Sequence, residues 1–438
     1  MNTSNPTATF PLNKGQEAAA EGFFNFLFGD EPELNISGPG GTGKTFLMGH
    51  LIDTVMPRYE EACRMLGIST VYHTVQMTAT TNKAAEVLGL ATSRPTQTIH
   101  SYLSLRVVDN FETGVSQLKK TPRWQVHGGH IVFVDEGSMI DHQLRTFIRE
   151  GFHKSKIIYV GDHCQLAPIG EAVSSIYREN PPLPFYELTE PMRTNDPHLQ
   201  AINSQLRRTV ETGIFEPIKP VPGVIDWLGG TEMEKEINQH FLSPNNHDRI
   251  LAYTNSRVVM YNNHIRSLRG LPATLSDGEH VISNSAMEFG KAGWMSVEDE
   301  FTVANVKSST RNIEIEAGVE LEVIECDLVG THTTFAGVKV PVDREHFTKL
   351  TKYYANKKDW RKYYQLKNGY PDLRPRDAAT VHKAQGSTYD TVFIDMEDLS
   401  SCRDKNMAAR LLYVGCSRAR KRVVMYGNLA QKFGGIQP

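Results

Sequence analysis

The chain has 438 residues, too many for one ordinary core, and at roughly 150 residues per domain it calls for about three. A charged fraction of 22% and a formal net charge of −3 exclude disorder throughout and exclude a polybasic protein held to polyanions by bulk charge, although a locally basic channel stays open. The lack of any apolar run near ~18 residues, of a basic start with an apolar core over 1–11, and of any C-x-x-C among five scattered cysteines argues against a membrane span, a secretory signal, a zinc ribbon and a disulfide framework, and for free thiols in a reducing cytoplasm.

In chain order, 34–37 reads as a short apolar strand ending in a glycine cluster, and 43–56 as a helix. Residues 70–77 alternate like a strand and 82–88 read as helical. The runs 131–134 and 156–160 are buried-strand candidates, each closed by an acidic or glycine turn. Strands alternating with helices predict a parallel α/β sheet. Leu105, Val107 and Val108, followed by Phe111 to Val115, break that rhythm and suggest an inserted β-hairpin with its turn near Gly114. Pro181, Pro182 and Pro184 mark a linker. A second α/β region begins near Arg193, with a strand at 249–253 and a helix at 258–269. From 281 to 339 short alternating runs suggest a small β-barrel. Residues 344–376 are rich in Lys, Arg and Tyr and partly helical, and the α/β pattern resumes at 378. The barrel is thus an insertion in the second α/β region.

Gly38-Pro39-Gly40-Gly41-Thr42-Gly43-Lys44-Thr45 fits G-x-x-x-x-G-K-[ST], after a strand and before a helix. Glycines let backbone N–H groups wrap phosphates, and the helix N-terminus adds partial positive charge. Lys44 is expected to reach the β- and γ-phosphates, and the Thr45 hydroxyl to bind Mg²⁺. Such a loop predicts an acid pair at the end of a later strand. Asp135 and Glu136 follow Val134, Asp135 to hold Mg²⁺ and Glu136 to orient or deprotonate the attacking water. Gln165, after the next strand, is suited to touch both a γ-phosphate oxygen and that water.

These segments, in this order, resemble superfamily 1 helicases over nearly the whole chain, and within them the RecD/Dda-like 1B group of DNA helicases. Leu12 to Gln16 is similar to the adenine-reading glutamine motif, Thr78 to Ala85 to motif Ia, Thr98 to Tyr102 to motif Ib, Asp135 to Met139 to motif II, Gly161 to Pro168 to motif III and Leu188 to Arg193 to motif IV. In the second half, Ala252 to Asn255 with Asn262 and Arg266 resembles a further 1B signature, Ala379 to Asp390 motif V and Leu412 to Ala419 motif VI.

The resemblance implies an α/β fold of two RecA-like P-loop lobes that bind ATP and Mg²⁺. The first comprises 1–102 and 124–190, with the hairpin insertion at 103–123. The second comprises 191–280 and 377–438, with an SH3-like β-barrel and a basic helical stretch at 281–376. It implies catalytic roles for Lys44, Glu136, Gln165, Arg193 and Arg418. Nucleotide contacts fall to Gln16, Gly38, Gly40, Gly41, Thr42, Gly43, Lys44, Thr45 and Gly386, and metal contacts to Thr45 and Asp135. Contacts to single-stranded DNA fall to Thr80, Asn82, Lys83, His100, Tyr102, Thr380, His382 and Lys383, which mix phosphate donors with π-faces. The hairpin, with Phe111, is the candidate wedge for strand separation. The implied activity is ATP-dependent 5′-to-3′ translocation and unwinding at single-strand/duplex junctions, by a monomer in the cytoplasm (of the host, if a bacteriophage encodes it). A role in replication, recombination or repair follows, with a single-strand binding protein or replisome component as partner. Two other readings stay open: an RNA helicase of the same superfamily, and a nucleotide-switched P-loop ATPase that binds nucleic acid without separating strands.

Overall fold

The computed structural model describes residues 11–110, 112, 116–168, 170–178, 182–190, 194, 196–245, 247–272, 274–331 and 333–433. The chain forms two compact units, Met1–Ser104 with Arg123–Asn195, and Leu105–Pro122 with Asp196–Pro438.

The first unit is built on six parallel strands, Glu33–Ser37, Thr74–Ala79, Thr96–Thr98, His130–Asp135, Lys156–Gly161 and Phe185–Glu187. Their spatial order is 185, 33, 156, 130, 74, 96. Helices cover the sheet, so its central strands are continuous apolar runs, as at Ile131–Val134, all fully buried. Phe23, Leu34, Ile36, Leu47, Met48, Ile131, Phe133, Ile158 and Val160 share one core. Because the strands are parallel, the turns after Ser37, Ala79, Asp135 and Gly161 leave from the same edge of the sheet. That edge gathers the sequence motifs.

Two local features differ from expectation. The helix Lys14–Phe28, which buries Phe23 and Phe26, carries no strong periodic signal in the sequence reading. The helix expected to end at Met56 instead runs Lys44–His50, Leu51–Val55 and Met56–Leu66. Its middle segment is a π turn, with the Met56 N–H bonded to the Leu51 carbonyl. That widening lets Pro57, which lacks an N–H, enter without ending the helix.

The second unit holds five parallel strands, Ile225–Leu228, Asp248–Ala252, Ala378–Thr380, Tyr389–Asp395 and Ala419–Tyr426, in the order 225, 419, 389, 248, 378. Between the helix Asn255–Leu268 and the strand at Ala378 lies a curled antiparallel half-barrel. Its strands are His280–Ser283, Glu300–Ala304, Arg311–Glu316, Val319–Val329, Thr334–Pro341 and Leu373–Pro375. The long strand Val319–Val329 pairs on one side with 311–316 and 300–304 and on the other with 334–341, which bends the sheet around Val281, Phe301, Val303, Ile324, Leu328 and Phe335. The basic stretch forms two helices, Arg344–Asn356 and Trp360–Gly369.

The hairpin pairs Leu105–Asp109 with Ser116–Lys120, in register from Leu105↔Lys120 to Asp109↔Ser116. The returning strand therefore starts later than the run at 111–115. Phe111 itself lies outside the described residues. The hairpin groups with the second unit: Arg106 pairs with Glu288 at 3.4 Å and lies over the Trp294 ring at 5.0 Å.

Candidate nucleotide and nucleic-acid sites

In the first unit the loop 38–45 joins the strand Glu33–Ser37 to the helix that starts at Lys44. Gly41 (φ 88°) and Gly43 (φ 77°) adopt left-handed conformations that side-chained residues resist. Gly38 needs its missing side chain for another reason: a Cβ there would lie 2.5 Å from the Leu188 carbonyl oxygen. The Gly38 N–H donates to the Gly161 carbonyl at 3.0 Å, tying the loop to the neighbouring strand. Thr42 is buried and donates its hydroxyl to the Pro39 carbonyl at 3.0 Å. Lys44 Nζ donates to the Gly38 and Pro39 carbonyls at 2.6 and 2.9 Å, so its ammonium is folded over the mouth of the loop.

Gln16 is buried. Its Oε1 accepts the Asn13 N–H at 3.1 Å in a capping box, and its Nε2 donates to the Thr42 carbonyl at 3.2 Å. In this conformation it ties the first helix to the phosphate loop.

Asp135 ends the strand two places from the loop in the sheet order, and its oxygen accepts the Glu136 N–H at 2.9 Å. Burial, then the adjacent Glu136 charge, pushes its carboxyl up to about 7, against the pull of Lys44. A carboxylate in that position gains from a cation. The Thr45 hydroxyl, half-buried in the first turn of the helix, has no hydrogen bond to any described residue. Thr45 and Asp135 thus offer hard oxygen donors of the kind Mg²⁺ takes. Glu136 has φ 54° and ψ 42°, a left-handed conformation unusual for its type. Gln165 is buried just past the strand Lys156–Gly161, its N–H donating to the Asp162 carbonyl at 3.0 Å. His163, inside the motif III-like segment but given no role of its own from the sequence, has Nδ1 3.0 Å from Ser37 Oγ and links this loop to the strand that carries the phosphate loop.

On the same edge, Thr80 is buried. Its N–H donates to the Asp135 carbonyl at 3.2 Å and its hydroxyl to the Glu136 carbonyl at 3.3 Å. The segment expected to hold a nucleic-acid strand is therefore bonded to the backbone of the acid pair. Asn82 is exposed at the start of the helix Asn82–Thr92, and Lys83 makes an exposed ion pair with Glu86 at 3.1 Å. His100 is half-buried, and burial holds its imidazole below the usual value, hence neutral at pH 7. Tyr102 is stacked on Phe152 (centroids 5.9 Å, planes 13° apart) and lies 4.7 Å from the His127 ring, so much of its π surface is engaged inside the unit.

In the second unit, Thr380 ends the strand Ala378–Thr380, and His382, Lys383 and Gly386 lie in the turns after it. Thr380 Oγ1 accepts the Lys383 N–H at 3.4 Å, and Gly386 has φ 82°. His382 is exposed beside Tyr253, centroids 6.2 Å apart. Lys383 Nζ is ion-paired with Glu298 at 2.8 Å and bonded to Asn284, both in the half-barrel insertion. Asp398, invisible to sequence reasoning, accepts the Tyr253 N–H, the Thr254 N–H and the Thr254 hydroxyl at 2.7 Å each, and so shapes the neighbouring loop from 144 residues away. Arg418 is buried. Its guanidinium donates to the Val414 carbonyl (3.1 Å), the Ser387 carbonyl (3.3 Å) and Ser417 Oγ (2.9 Å), neutral acceptors all. Arg193 lies outside the described residues.

Comparison with known proteins matches residues 11–216 to an AAA domain family and 377–426 to the UvrD-like helicase C-terminal domain. Over 456 residues the chain is 25% identical to the ATP-dependent DNA helicase dda of Enterobacteria phage T4, covering 93% of this chain and 98% of that protein. The chain is a Dda-like helicase of superfamily 1B. An uncharacterized protein of Acanthamoeba polyphaga mimivirus is 21% identical over 501 residues, covering 94% of this chain and 99% of its own length. The fold is also that of the Bacteroides Pif1 helicase crystallised with ADP-AlF3 and single-stranded DNA, at a TM-score of 0.50, 14% identity and coverage of 98% and 95% of the two chains. The two family matches fall on the two parallel-sheet regions and leave the half-barrel of this helicase unmatched. No helix among the described residues is long and apolar enough to cross a membrane.

Proposed function

We propose that this ATP-dependent DNA helicase turns hydrolysis at the 38–45 loop into 5′-to-3′ travel along single-stranded DNA and so separates duplex. The observation that carries the reading is the single sheet edge on which the phosphate loop, the Asp135–Glu136 pair, Gln165 and the Thr80–Lys83 segment all emerge, with Thr80 bonded to the backbone of both acids. Lys44 and the loop N–H groups bind the phosphates. Thr45 and Asp135 would hold Mg²⁺, which neutralises charge on the β- and γ-oxygens. Glu136 takes the proton of the attacking water, and Gln165 orients that water. Arg418 and Arg193 supply positive charge to the transferring phosphoryl group. Arg418, held by neutral oxygens alone, gives up no ion pair to do so. Asn82, Lys83, His382 and the loops around them grip the strand, and the 105–120 hairpin parts the duplex. The protein acts as a monomer, with a single-strand binding protein or replisome component as its partner.

Strand displacement on duplexes with 5′ or 3′ single-stranded tails tests activity and direction together. Displacement of the 5′-tailed substrate alone is expected. Preference for the 3′ tail overturns the direction, ATP hydrolysis without displacement overturns the motor, and equal or stronger stimulation by single-stranded RNA overturns DNA as the track.

A further inference from the structure

The helices Arg344–Asn356 and Trp360–Gly369, joined by 357–359, pack on the half-barrel through Leu350, Tyr354 and Leu366 against Leu321 and Val323. Between 344 and 369 there are eight Lys and Arg against two Asp and Glu, in a chain whose net charge is −3. Three of the eight are bound within the protein: Arg344 to Asp372, Lys349 to Glu345 and Lys362 to Glu316. The other five, Lys352, Lys357, Lys358, Arg361 and Lys367, are exposed, and none makes an ion pair among the described residues, Lys357 feeling only the more distant Glu316 charge. Leu350 and Tyr354 take the inward face of the first helix. Positions 349, 352, 353 and 356 share the outward one, and Lys357 and Lys358 form the turn.

Most rings of this segment are covered, and Tyr353, 42% exposed, carries a lysine on one face. Lys357 lies 4.4 Å over Tyr353, whose other neighbour is the edge of Tyr354 at 5.2 Å. Lys367 covers Tyr363 and Tyr364 at 5.9 and 5.5 Å, and Trp360 meets Tyr363 edge-on at 5.7 Å. A single-strand site needs open π-faces as well as charge. Charge without open rings reads backbone rather than bases. Duplex DNA carries about one charge per ~1.7 Å of axis. A helix of 13 residues, about 20 Å long, runs past several phosphates of such a target.

We propose that this pair of helices is a second nucleic-acid contact, a sequence-independent clamp on the phosphate backbone of duplex DNA, apart from the single-strand track. The proposal rests on the helicase reading. The test uses the full chain with Lys352, Lys357, Lys358, Arg361 and Lys367 each changed to Gln. Binding to a blunt duplex and to a single strand of equal length is measured across salt concentrations, alongside ATPase stimulated by single-stranded DNA. Duplex affinity at low salt is expected to fall at least ~10-fold, and the slope of log K against log salt to become shallower by about 0.9 for each phosphate no longer neutralised. Single-strand affinity and stimulated ATPase are expected to stay at wild-type values, which also shows the variant folded. An unchanged duplex slope overturns the clamp, whether the face is then merely solvated or meets a protein. An equal loss on single strands overturns its separateness from the track. Failure of the helicase reading shows differently, as wild-type protein whose ATPase does not respond to single-stranded DNA.

Discussion

Glu136 holds its left-handed conformation against a steric cost, because Thr80 bonds its carbonyl and Asp135 its N–H. The backbone thus fixes where its carboxylate stands, and Glu136→Gln removes the proposed base while leaving that frame. Nucleotide affinity is expected to persist while turnover falls by about 10²–10⁴. Fluorescent-nucleotide titration beside steady-state hydrolysis separates the two, and a matching loss of affinity would place Glu136 in binding instead. Lys44→Ala removes an ammonium that bonds loop carbonyls, so hydrolysis and unwinding are expected to vanish with much of the DNA affinity retained; stimulated hydrolysis in that variant contradicts the site. Glu33 shows the opposite kind of residue. It is buried at the far end of its strand, bonded to Arg145, Arg149 and Tyr159. Burial alone would raise its carboxyl, but those three partners hold it below the usual value. Its stabilising contribution is therefore present above about pH 4.5 and lost as pH falls below that. Glu33→Gln leaves Arg145 buried without its counter-charge and is expected to cost about 3–5 kcal/mol in denaturant unfolding. The phosphate loop and acid pair were legible because each is dense in sequence. Glu33 was not, since Arg145 stands 112 residues away and nothing local marks either member.

At the level of elements, the strands buried on both faces were readable as apolar runs, and the half-barrel as alternation. The helix Lys14–Phe28 was not read, because its apolar face is built largely of alanine and phenylalanine in a short polar setting. The junction of the half-barrel was equally hidden, since it depends on side chains meeting across the fold. From the helix Asn255–Leu268 and its C-cap, Asn262 bonds the Ala378 backbone (2.9 and 3.3 Å), Arg266 pairs with Glu279, and Arg269 grips Asp377 at 2.7 and 2.9 Å. Spaced at i, i+4 and i+7, they hold both points where the chain enters and leaves the insertion. Arg266→Gln with Arg269→Gln is expected to loosen that junction without touching the nucleotide site. Strand displacement then falls severalfold while ATPase stimulated by single-stranded DNA stays near wild type. A parallel fall in both would mean that the junction only stabilises the unit, which thermal unfolding checks directly.

For the whole molecule, two units with separate hydrophobic cores predict that unfolding is not one all-or-none event. The phosphate loop and the Asp135–Glu136 pair belong to the first unit, and of the expected nucleotide contacts only Gly386 lies in the second, so ADP with Mg²⁺ is expected to stabilise chiefly the first unit. At a hundred times its Kd a ligand adds about 2.7 kcal/mol, which for a unit of this size raises its transition by about 5–10 °C. Tryptophans report which transition moves. Trp124, packed against Phe147 at 6.0 Å, lies in the first unit, whereas Trp227, Trp294 and Trp360 lie in the second. Calorimetry is expected to show two transitions with one shifted by ADP, and Trp124→Phe to erase that shifted transition from fluorescence-detected melting while calorimetry retains it. A single transition that moves as a whole with ADP would mean the units unfold as one body. The link between nucleotide and DNA sites would then need no independent motion of the two halves. Two transitions, with the ADP-sensitive one assigned to Trp124, would leave the lobes free to respond separately, as a motor that alternates its grip on a strand requires.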